Sequence, residues 1–222
     1  MAYRVRVWDL PTRVFHWLLV ACLAGSLASG YIGGAAIDWH ARFGYGVLAL
    51  VLFRLVWGFV GGHWSRFANF VRSPRTVAAY LRGQAHPDHL VGHNPLGAGS
   101  VLAILLVLLA QVATGLVNDD EISFQGPLYG FVSSRVAGAA HDFHEDWGQW
   151  LIIGLVVLHV LAIAWYTLGK RQQLVGPMVR GDKELAAPAA SSRDDAATRV
   201  LAAVVFALCA GLVLWISRLG AA

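Results

Sequence analysis

Five apolar runs, each about as long as a lipid bilayer is thick, restrict what this sequence can fold into. The runs lie near residues 14–33, 40–61, 96–117, 145–168 and 199–217. Of the 222 residues, 57% are hydrophobic and 14% are charged, which is too apolar for an ordinary soluble domain. Residues 100–117 and 151–164 are apolar without the alternation of a barrel strand, so they must satisfy their backbone groups within one segment. The sequence therefore predicts an all-α integral membrane protein.

Lys and Arg are concentrated in alternate connections between the runs. Those before the first run, after the second and after the fourth are Arg4, Arg6, Arg13, Arg66, Arg72, Arg75, Arg82, Lys170, Arg171, Arg180, Lys183, Arg193 and Arg199. The opposite connections contain Asp38, Asp119, Asp120, Glu121, Arg135 and Asp142. Because cytoplasmic loops carry an excess of Lys and Arg, the N-terminus is predicted to be cytoplasmic and the C-terminus extracytoplasmic. The basic residues form no aromatic-interleaved patch, so no nucleic-acid partner is expected.

The composition of the connections divides the chain into three parts. Residues 1–170 are predicted to form a four-helix transmembrane core, and residues 199–222 a fifth helix that contains no His, Asp or Glu. Between them, residues 171–198 are predicted to be a flexible cytoplasmic linker, because the later part is rich in Ala, Ser and Asp without apolar periodicity. After the second run, Ser73 and Pro74 predict a capped amphipathic surface helix that ends at Gly83.

Four histidines lie near the ends of predicted spans, where an imidazole is costly unless it is paired, solvated or bound to a metal. His144 and His159 share one predicted helix, about 22 Å apart along its axis and about 60° apart around it. One metal ion could not reach both, whereas two haems stacked across a bilayer about 30 Å thick need ligands with this separation. By depth, His16 is expected to meet His159 near the cytoplasmic face, and His40 to meet His144 near the opposite face.

This pattern predicts two haem b groups, each with bis-histidine ligation, and so points to transmembrane electron transfer. Covalent attachment of haem is excluded because no Cys-x-x-Cys-His motif occurs. Arg42 and Arg54 are candidate counter-charges for haem propionates, and the alternative is that they reach lipid headgroups. A proton or metal pathway remains the alternative to haem, because Glu145 and Asp146 next to His144 would also suit a proton relay.

Four other histidines could also bind a metal or a haem. His141 could replace His144 as the outer ligand, although it is expected to precede the helix. His86, His89 and His93 suggest a metal cluster, but Pro87 and Gly92 oppose the single helix that would gather them, so they are interpreted as loop histidines.

Several short motifs in this chain resemble those of the bacterial di-haem cytochrome b (five-six-one) superfamily. The motifs are Val7-Trp8-Asp9, Arg13-Val14-Phe15-His16-Trp17, His40 with Gly44, Arg54-Leu55-Val56-Trp57-Gly58-Phe59, Gly92-His93-Asn94-Pro95-Leu96-Gly97, His144-Glu145 and His159-Val160. The resemblance covers residues 4 to about 170. The superfamily includes the membrane subunits of nickel-iron hydrogenases and related formate dehydrogenases. The resemblance implies a four-helix core in the bacterial inner membrane that binds two haems. Their ligands would be the same two histidine pairs that the depth of the histidines in the membrane predicts. The C-terminus would then be periplasmic.

The resemblance also implies a function and partners. Electrons would pass between the membrane quinone pool and a redox protein, such as a c-type cytochrome or a dehydrogenase or hydrogenase subunit. The turn His93-Asn94-Pro95 is a candidate quinone site, and the alternative is that Asn94 and Pro95 only cap the third helix. The acidic stretch Asp119-Asp120-Glu121 could steer a basic partner, or be a solvated loop.

Two further classes of function remain open. A superoxide:quinone oxidoreductase would use the same four histidines as haem ligands. A non-haem transporter of protons or metal ions, or a membrane anchor, would bind no reducible haem. The sequence leaves open whether the chain forms a homodimer.

Overall fold

The computed structural model describes residues 2–84, 86–120 and 124–221. Within these ranges five helical segments are long and apolar enough to cross a membrane: Leu10–Ile32, Gly34–Val60, Pro95–Leu116, Ser134–Gly169 and Ala196–Ile216. The predicted all-α membrane class and its five spans are therefore confirmed.

The elements follow one another along the chain. They are β1 (Tyr3–Arg6), α1 (Leu10–Ile32), α2 (Ile37–Val60), α3 (Phe67–Phe70), α4 (Pro74–Leu81), α5 (Pro95–Leu116), α6 (Ser134–Asp142), α7 (Gln149–Ala164), α8 (Val175–Arg180), β2 (Asp182–Leu185) and α9 (Ala196–Ile216). Two π-helical turns, Phe143–Gly148 and Trp165–Gly169, extend α7 at its two ends.

The first helix begins earlier than its apolar run because a buried carboxylate caps it. Asp9 is fully buried, and its Oδ1 accepts a hydrogen bond from the backbone N–H of Thr12 at 2.8 Å. Asp9 Oδ2 accepts from the backbone N–H of Gly62 at 2.9 Å, from Trp57 Nε1 at 3.3 Å and from Ser65 Oγ at 3.3 Å. One carboxylate therefore both starts α1 and holds the chain that follows α2.

The fourth span begins at Ser134, not near residue 145 as the apolar run predicted. Ser133 is the N-cap, and its hydroxyl accepts from the backbone N–H of Val136 at 3.4 Å. The prediction that His141 precedes the helix is therefore wrong, because a polar, capped turn leads into the apolar run. The amphipathic helix was predicted correctly: α4 has Ser73 as its N-cap, and Gly83 follows with φ +85°.

The segment predicted as a linker differs from that prediction, because it contains α8 and β2. Strand β2 pairs antiparallel with β1, with Tyr3 opposite Leu185 and Arg6 opposite Asp182. Gly181, at φ +95°, turns the chain between α8 and β2, and its carbonyl accepts from the backbone N–H of Val7 at 2.9 Å. A strand this short, whose partner lies at the other end of the sequence, leaves little local signal in composition.

The described chain falls into two compact units. The first, here the sheet unit, comprises Met1–Phe15, Arg54–Ala103 and Val156–Val204. Its core of Val5, Val7, Trp8, Trp64 and Val91 packs around the strand pair. The second, here the pair unit, comprises His16–Phe53, Ile104–Leu155 and Val205–Ala222, and it contains both His40 and His144.

Candidate haem site

Two of the predicted ligands meet in the pair unit. The ring centroids of His40, from α2, and His144, from the π-helical turn before α7, are 5.9 Å apart with their planes at 79°. Metal–imidazole bonds to an ion such as zinc are about 2.0–2.1 Å long, which places two rings on opposite sides of one ion with centroids about 6 Å apart. At this spacing His40 and His144 could both bind one iron.

The hydrogen bonds of both rings suit metal ligation. His40 Nδ1 lies 2.9 Å from the backbone carbonyl of Ser26, and His144 Nδ1 lies 2.9 Å from the backbone carbonyl of Gln111. Because a carbonyl can only accept, each Nδ1 carries the proton and each Nε2 keeps its lone pair. This is the usual arrangement of a metal-binding histidine, whose second nitrogen donates to a fixed acceptor.

Two glycines make room for these rings. A Cβ at Gly30 would lie 2.9 Å from His40 Nδ1, and a Cβ at Gly115 would lie 2.9 Å from His144 Cε1. Any larger residue at either position would push a ring out of place. The helices α1 and α5 can therefore approach the two imidazoles closely only because these positions lack a side chain.

Gln111 holds His144 through two groups. Its backbone carbonyl accepts from His144 Nδ1, and its side-chain Nε2 donates to the backbone carbonyl of His144 at 2.8 Å. A Cβ at Gly148 would overlap Gln111 Oε1, so this glycine leaves space for the amide. Our sequence reasoning missed Gln111, although a glutamine inside an apolar run is a signal because an amide there needs a partner.

Both histidines line a cavity of about 340 Å³ whose walls are mostly apolar. The walls include Leu23, Leu27, Val112 and Ile152. That volume lies in the range of ligand pockets, about 300–1,000 Å³. Paired imidazoles with free Nε2 atoms, glycine cradles and apolar walls fit a haem.

The other predicted pair is divided between the units. His16 lies on α1 in the pair unit, with its ring edge-on to Trp17 at 5.0 Å between centroids. His159 lies on α7 in the sheet unit and is half-buried. Their assignment as ligands of an inner haem stays a prediction.

The two candidate propionate partners have different surroundings. Arg42 is exposed, and its guanidinium lies 4.9 Å from the ring centroid of Trp39. Arg54 is only 3% exposed, and its guanidinium lies 4.9 Å from the Phe67 ring and 5.7 Å from the Phe70 ring. Its buried Nη1 has no hydrogen-bond partner among the described residues, so Arg54 retains a donor for an anionic group.

The remaining candidates are engaged in local contacts. Asn94 Oδ1 accepts from the backbone N–H of Gly97 at 2.7 Å, which is an N-cap contact for α5; a role at a quinone stays a prediction. His141 Nδ1 lies 3.0 Å from Asn118 Oδ1, and its Nε2 lies 3.8 Å from Glu145. Among the residues that the structure describes, no group of three or more His, Cys, Asp or Glu could hold a metal ion.

The acidic stretch is described only in part, because Glu121 lies outside the described residues. Asp119 accepts from Gln125 Nε2 at 3.2 Å, and Asp120 accepts from the backbone N–H of Phe124 at 2.8 Å. These two carboxylates therefore stabilise their own loop, and steering of a partner stays a prediction.

Comparison with known proteins gives one family. The family model described as prokaryotic cytochrome b561 matches residues 7–181. Similar curated proteins are the probable Ni/Fe-hydrogenase B-type cytochrome subunits of three bacteria. Identity is 24% for Bradyrhizobium diazoefficiens, over 81% of this chain and 86% of that protein. It is 27% for Azotobacter vinelandii, over 80% and 87%, and 28% for Cupriavidus necator, over 79% and 85%. No solved structure matches this chain.

Proposed function

Because the chain belongs to the prokaryotic cytochrome b561 family, we propose that it carries electrons through two b-type haems between the membrane quinone pool and a redox partner protein. Family membership makes it a multi-pass membrane cytochrome of the b type. Our proposal adds that there are two haems, that a quinone takes part and that a redox protein is the partner.

The geometry of His40 and His144 carries this proposal. Two imidazoles 5.9 Å apart, each with Nδ1 held by a backbone carbonyl, present two nitrogen lone pairs to one apolar cavity. A bound haem would supply an iron that takes up and releases one electron. The chain's part is to fix the rings, strengthen their basicity through the carbonyl contacts, and exclude water from the cavity.

The inner haem of the proposal would be held by His16 and His159. Arg54 supports it, because a buried guanidinium with an unused donor is costly unless an anionic group such as a propionate pairs with it. Arg42 is proposed to serve a propionate of the outer haem. Asn94, in the turn before α5, is proposed to lie near a quinone.

The partner is proposed from the relatives. Because similar proteins are named as B-type cytochrome subunits of Ni/Fe hydrogenases, we infer that a hydrogenase-like enzyme, a dehydrogenase subunit or a c-type cytochrome exchanges electrons with this chain. We propose that residues 1–170 bind the haems and that α9 contacts lipid or a partner protein. The location proposed is the bacterial inner membrane with a cytoplasmic N-terminus.

The first test is a reduced-minus-oxidised spectrum, with haem b quantified per chain on detergent-purified protein. Two haems b per chain are expected. One haem would remove half of the ligand assignment, and none would favour a transporter or an anchor.

Single replacements test the pairs. His40→Ala and His144→Ala are expected to lose the same haem, and His16→Ala and His159→Ala the other. His63→Ala, a histidine in the turn after α2, is the matched control and should keep both. Loss of one common spectral species in His16→Ala and His40→Ala would overturn the pairing.

A superoxide oxidase would give the same spectra. The rate at which the haem is reduced must therefore be measured twice, once with superoxide alone and once with a reduced c-type cytochrome. We expect the protein partner to be required for fast reduction.

A further inference from the structure

A second cavity, of about 600 Å³, lies in the sheet unit between α4 and the turn Pro87–Leu90. Its walls include Arg72, Arg75, His86, Asp88 and His89, and we call it the basic pocket. The proposed electron transfer uses none of these residues.

The basic pocket offers several hydrogen-bond donors. Arg72 Nη2 donates to the backbone carbonyl of Asn69 at 2.9 Å, while its buried Nε has no hydrogen-bond partner among the described residues. Arg75 is exposed. His89 Nδ1 accepts from the backbone N–H of His86 at 3.1 Å, so the neutral ring carries its proton on Nε2. Two guanidinium groups and an imidazole N–H thus share one cavity.

The charge in the basic pocket is positive on balance. Burial, and then the charge of Arg72, lower the pKa of His89 from its usual value, so His89 is a neutral donor. Asp88, the one carboxylate among the described residues of the walls, lies 3.4 Å from His86 Nδ1. Arg72 and Arg75 therefore outweigh Asp88.

Apolar side chains are exposed along the same segment. Val71, Leu81 and Leu90 are 41%, 65% and 49% exposed. The segment runs between the end of one membrane span at Val60 and the start of the next at Pro95, so it belongs at a bilayer surface. The same segment therefore offers a ligand both cationic donors and exposed hydrocarbon, which is the chemistry that a phospholipid needs.

We propose that the basic pocket binds the phosphate of an anionic phospholipid headgroup, with Arg72, Arg75 and His89 as donors. Basic pockets at the cytoplasmic ends of transmembrane helices suit such headgroups, and arginine binds phosphate through paired donors. The positive-inside rule accounts for the number of arginines in this loop, but it requires neither a cavity nor a buried histidine beside them.

The test measures lipid retention by native mass spectrometry of the full-length, detergent-purified protein. Phosphatidylglycerol and phosphatidylcholine are added separately to the native chain and to the double variant Arg72→Gln/Arg75→Gln. We expect the native chain to retain phosphatidylglycerol preferentially, and the double variant to bind it about 10- to 30-fold more weakly. The control variant Arg66→Gln/Arg82→Gln removes the same charge from two exposed arginines outside the basic pocket and should bind as the native chain does.

Each other outcome overturns the proposal. Equal loss in both double variants would mean that only the net charge of the loop matters. If phosphatidylcholine were retained as well as phosphatidylglycerol, the pocket would not distinguish an anionic headgroup from a zwitterionic one. Competition by inorganic phosphate at the same concentration as the lipid would mean a site for a small anion.

The single variant Arg75→Gln guards against misfolding, because the described structure gives that side chain no hydrogen bond to lose. It should bind phosphatidylglycerol several-fold more weakly while the haem spectrum is unchanged. Since the lipid readout needs no haem, its failure is separate from failure of the proposed electron transfer.

Discussion

The pair unit and the sheet unit use polar groups in opposite ways. In the pair unit, His40 and His144 donate to backbone carbonyls and leave one nitrogen each for a ligand. In the sheet unit, two carboxylates are saturated by the protein: Asp9 accepts from four donors, and Asp194 lies 2.6 Å from Arg6 and 3.1 Å from Arg199.

The difference separates groups that hold the fold from groups that are kept for chemistry. A buried carboxylate whose lone pairs are all used stabilises the chain around it and has little left for a ligand. An imidazole that is hydrogen-bonded at one nitrogen is held in orientation, and its other nitrogen can still bind a ligand. Loss of His40 or His144 should therefore affect the haem, and loss of Asp9 or Asp194 should affect the folding of the chain.

The largest expected effect is in the pair unit. Gly115→Val should displace the His144 ring, because even a Cβ would lie 2.9 Å from it, and one of the two proposed haems should be lost. Haem b per chain, measured in detergent, checks this. Gly154→Ala, also a helical glycine of the pair unit but with open space around it, is the control and should keep the native haem content. Native haem content in Gly115→Val would mean that His144 is not a ligand.

In the sheet unit, Asp9→Ala is expected to reduce stability by about 3–5 kcal/mol. The substitution removes the carboxylate that accepts hydrogen bonds from the buried Gly62 and Trp57 N–H groups, and it removes the cap of α1. Thermal unfolding followed by circular dichroism should show the loss. Asp142→Asn, at an exposed position, should change stability by less than about 0.5 kcal/mol. A melting temperature equal to native in Asp9→Ala would contradict the structural role of Asp9.

Gln111→Leu tests whether the ring of His144 is positioned or only present. The variant keeps the backbone carbonyl that accepts from Nδ1 but loses the amide that holds the His144 backbone, so the ring should tilt while ligation survives. We expect full haem content, a shifted reduction midpoint and altered g-values in the electron paramagnetic resonance spectrum of one haem. Gln125→Leu, whose amide donates to Asp119 outside the cavity that His144 lines, is the control. Identical spectra for native protein and Gln111→Leu would remove the positioning role.

The smallest expected effect is an acid dependence confined to the sheet unit. Burial tends to raise the pKa of Asp194, but hydrogen bonds from Arg199 and the Leu10 backbone, with the charge of Arg6, hold it below its usual value. The folded state therefore binds fewer protons than the unfolded state. The stability that Asp194 contributes is present above its usual pKa, near pH 4, and is lost as pH falls through the lower folded pKa.

Proteolysis of the N-terminal segment between pH 5 and pH 2.5, with an acid-stable protease, measures this loss. The Asp194→Asn variant should be cleaved faster than the native protein at pH 5, and its rate of cleavage should change less as the pH falls. An equally steep acid dependence in the variant would assign the effect to another group.

Several features were predictable because their signal is local. Apolar length predicted the membrane spans, and Ser73, Pro74 and Gly83 predicted α4, since a cap and a stop act within a few residues. The start of the fourth span was mispredicted because residues 134–144 form a helix with a polar face, which hydropathy does not detect. Gln111 was missed for a different reason: its partner His144 is 33 residues away.

The sequence by itself determined the membrane class, the number of spans, the cap of α4 and the family, because each depends on residue type and short spacing. Only the tertiary structure decided that the backbone carbonyls of Ser26 and Gln111 hold the rings of His40 and His144, and that Gly30 and Gly115 admit these rings. It also decided that β2 pairs with β1 in place of a linker without regular structure. These contacts join segments far apart in the chain, and they depend on which groups the packed helices bring within hydrogen-bond or van der Waals distance.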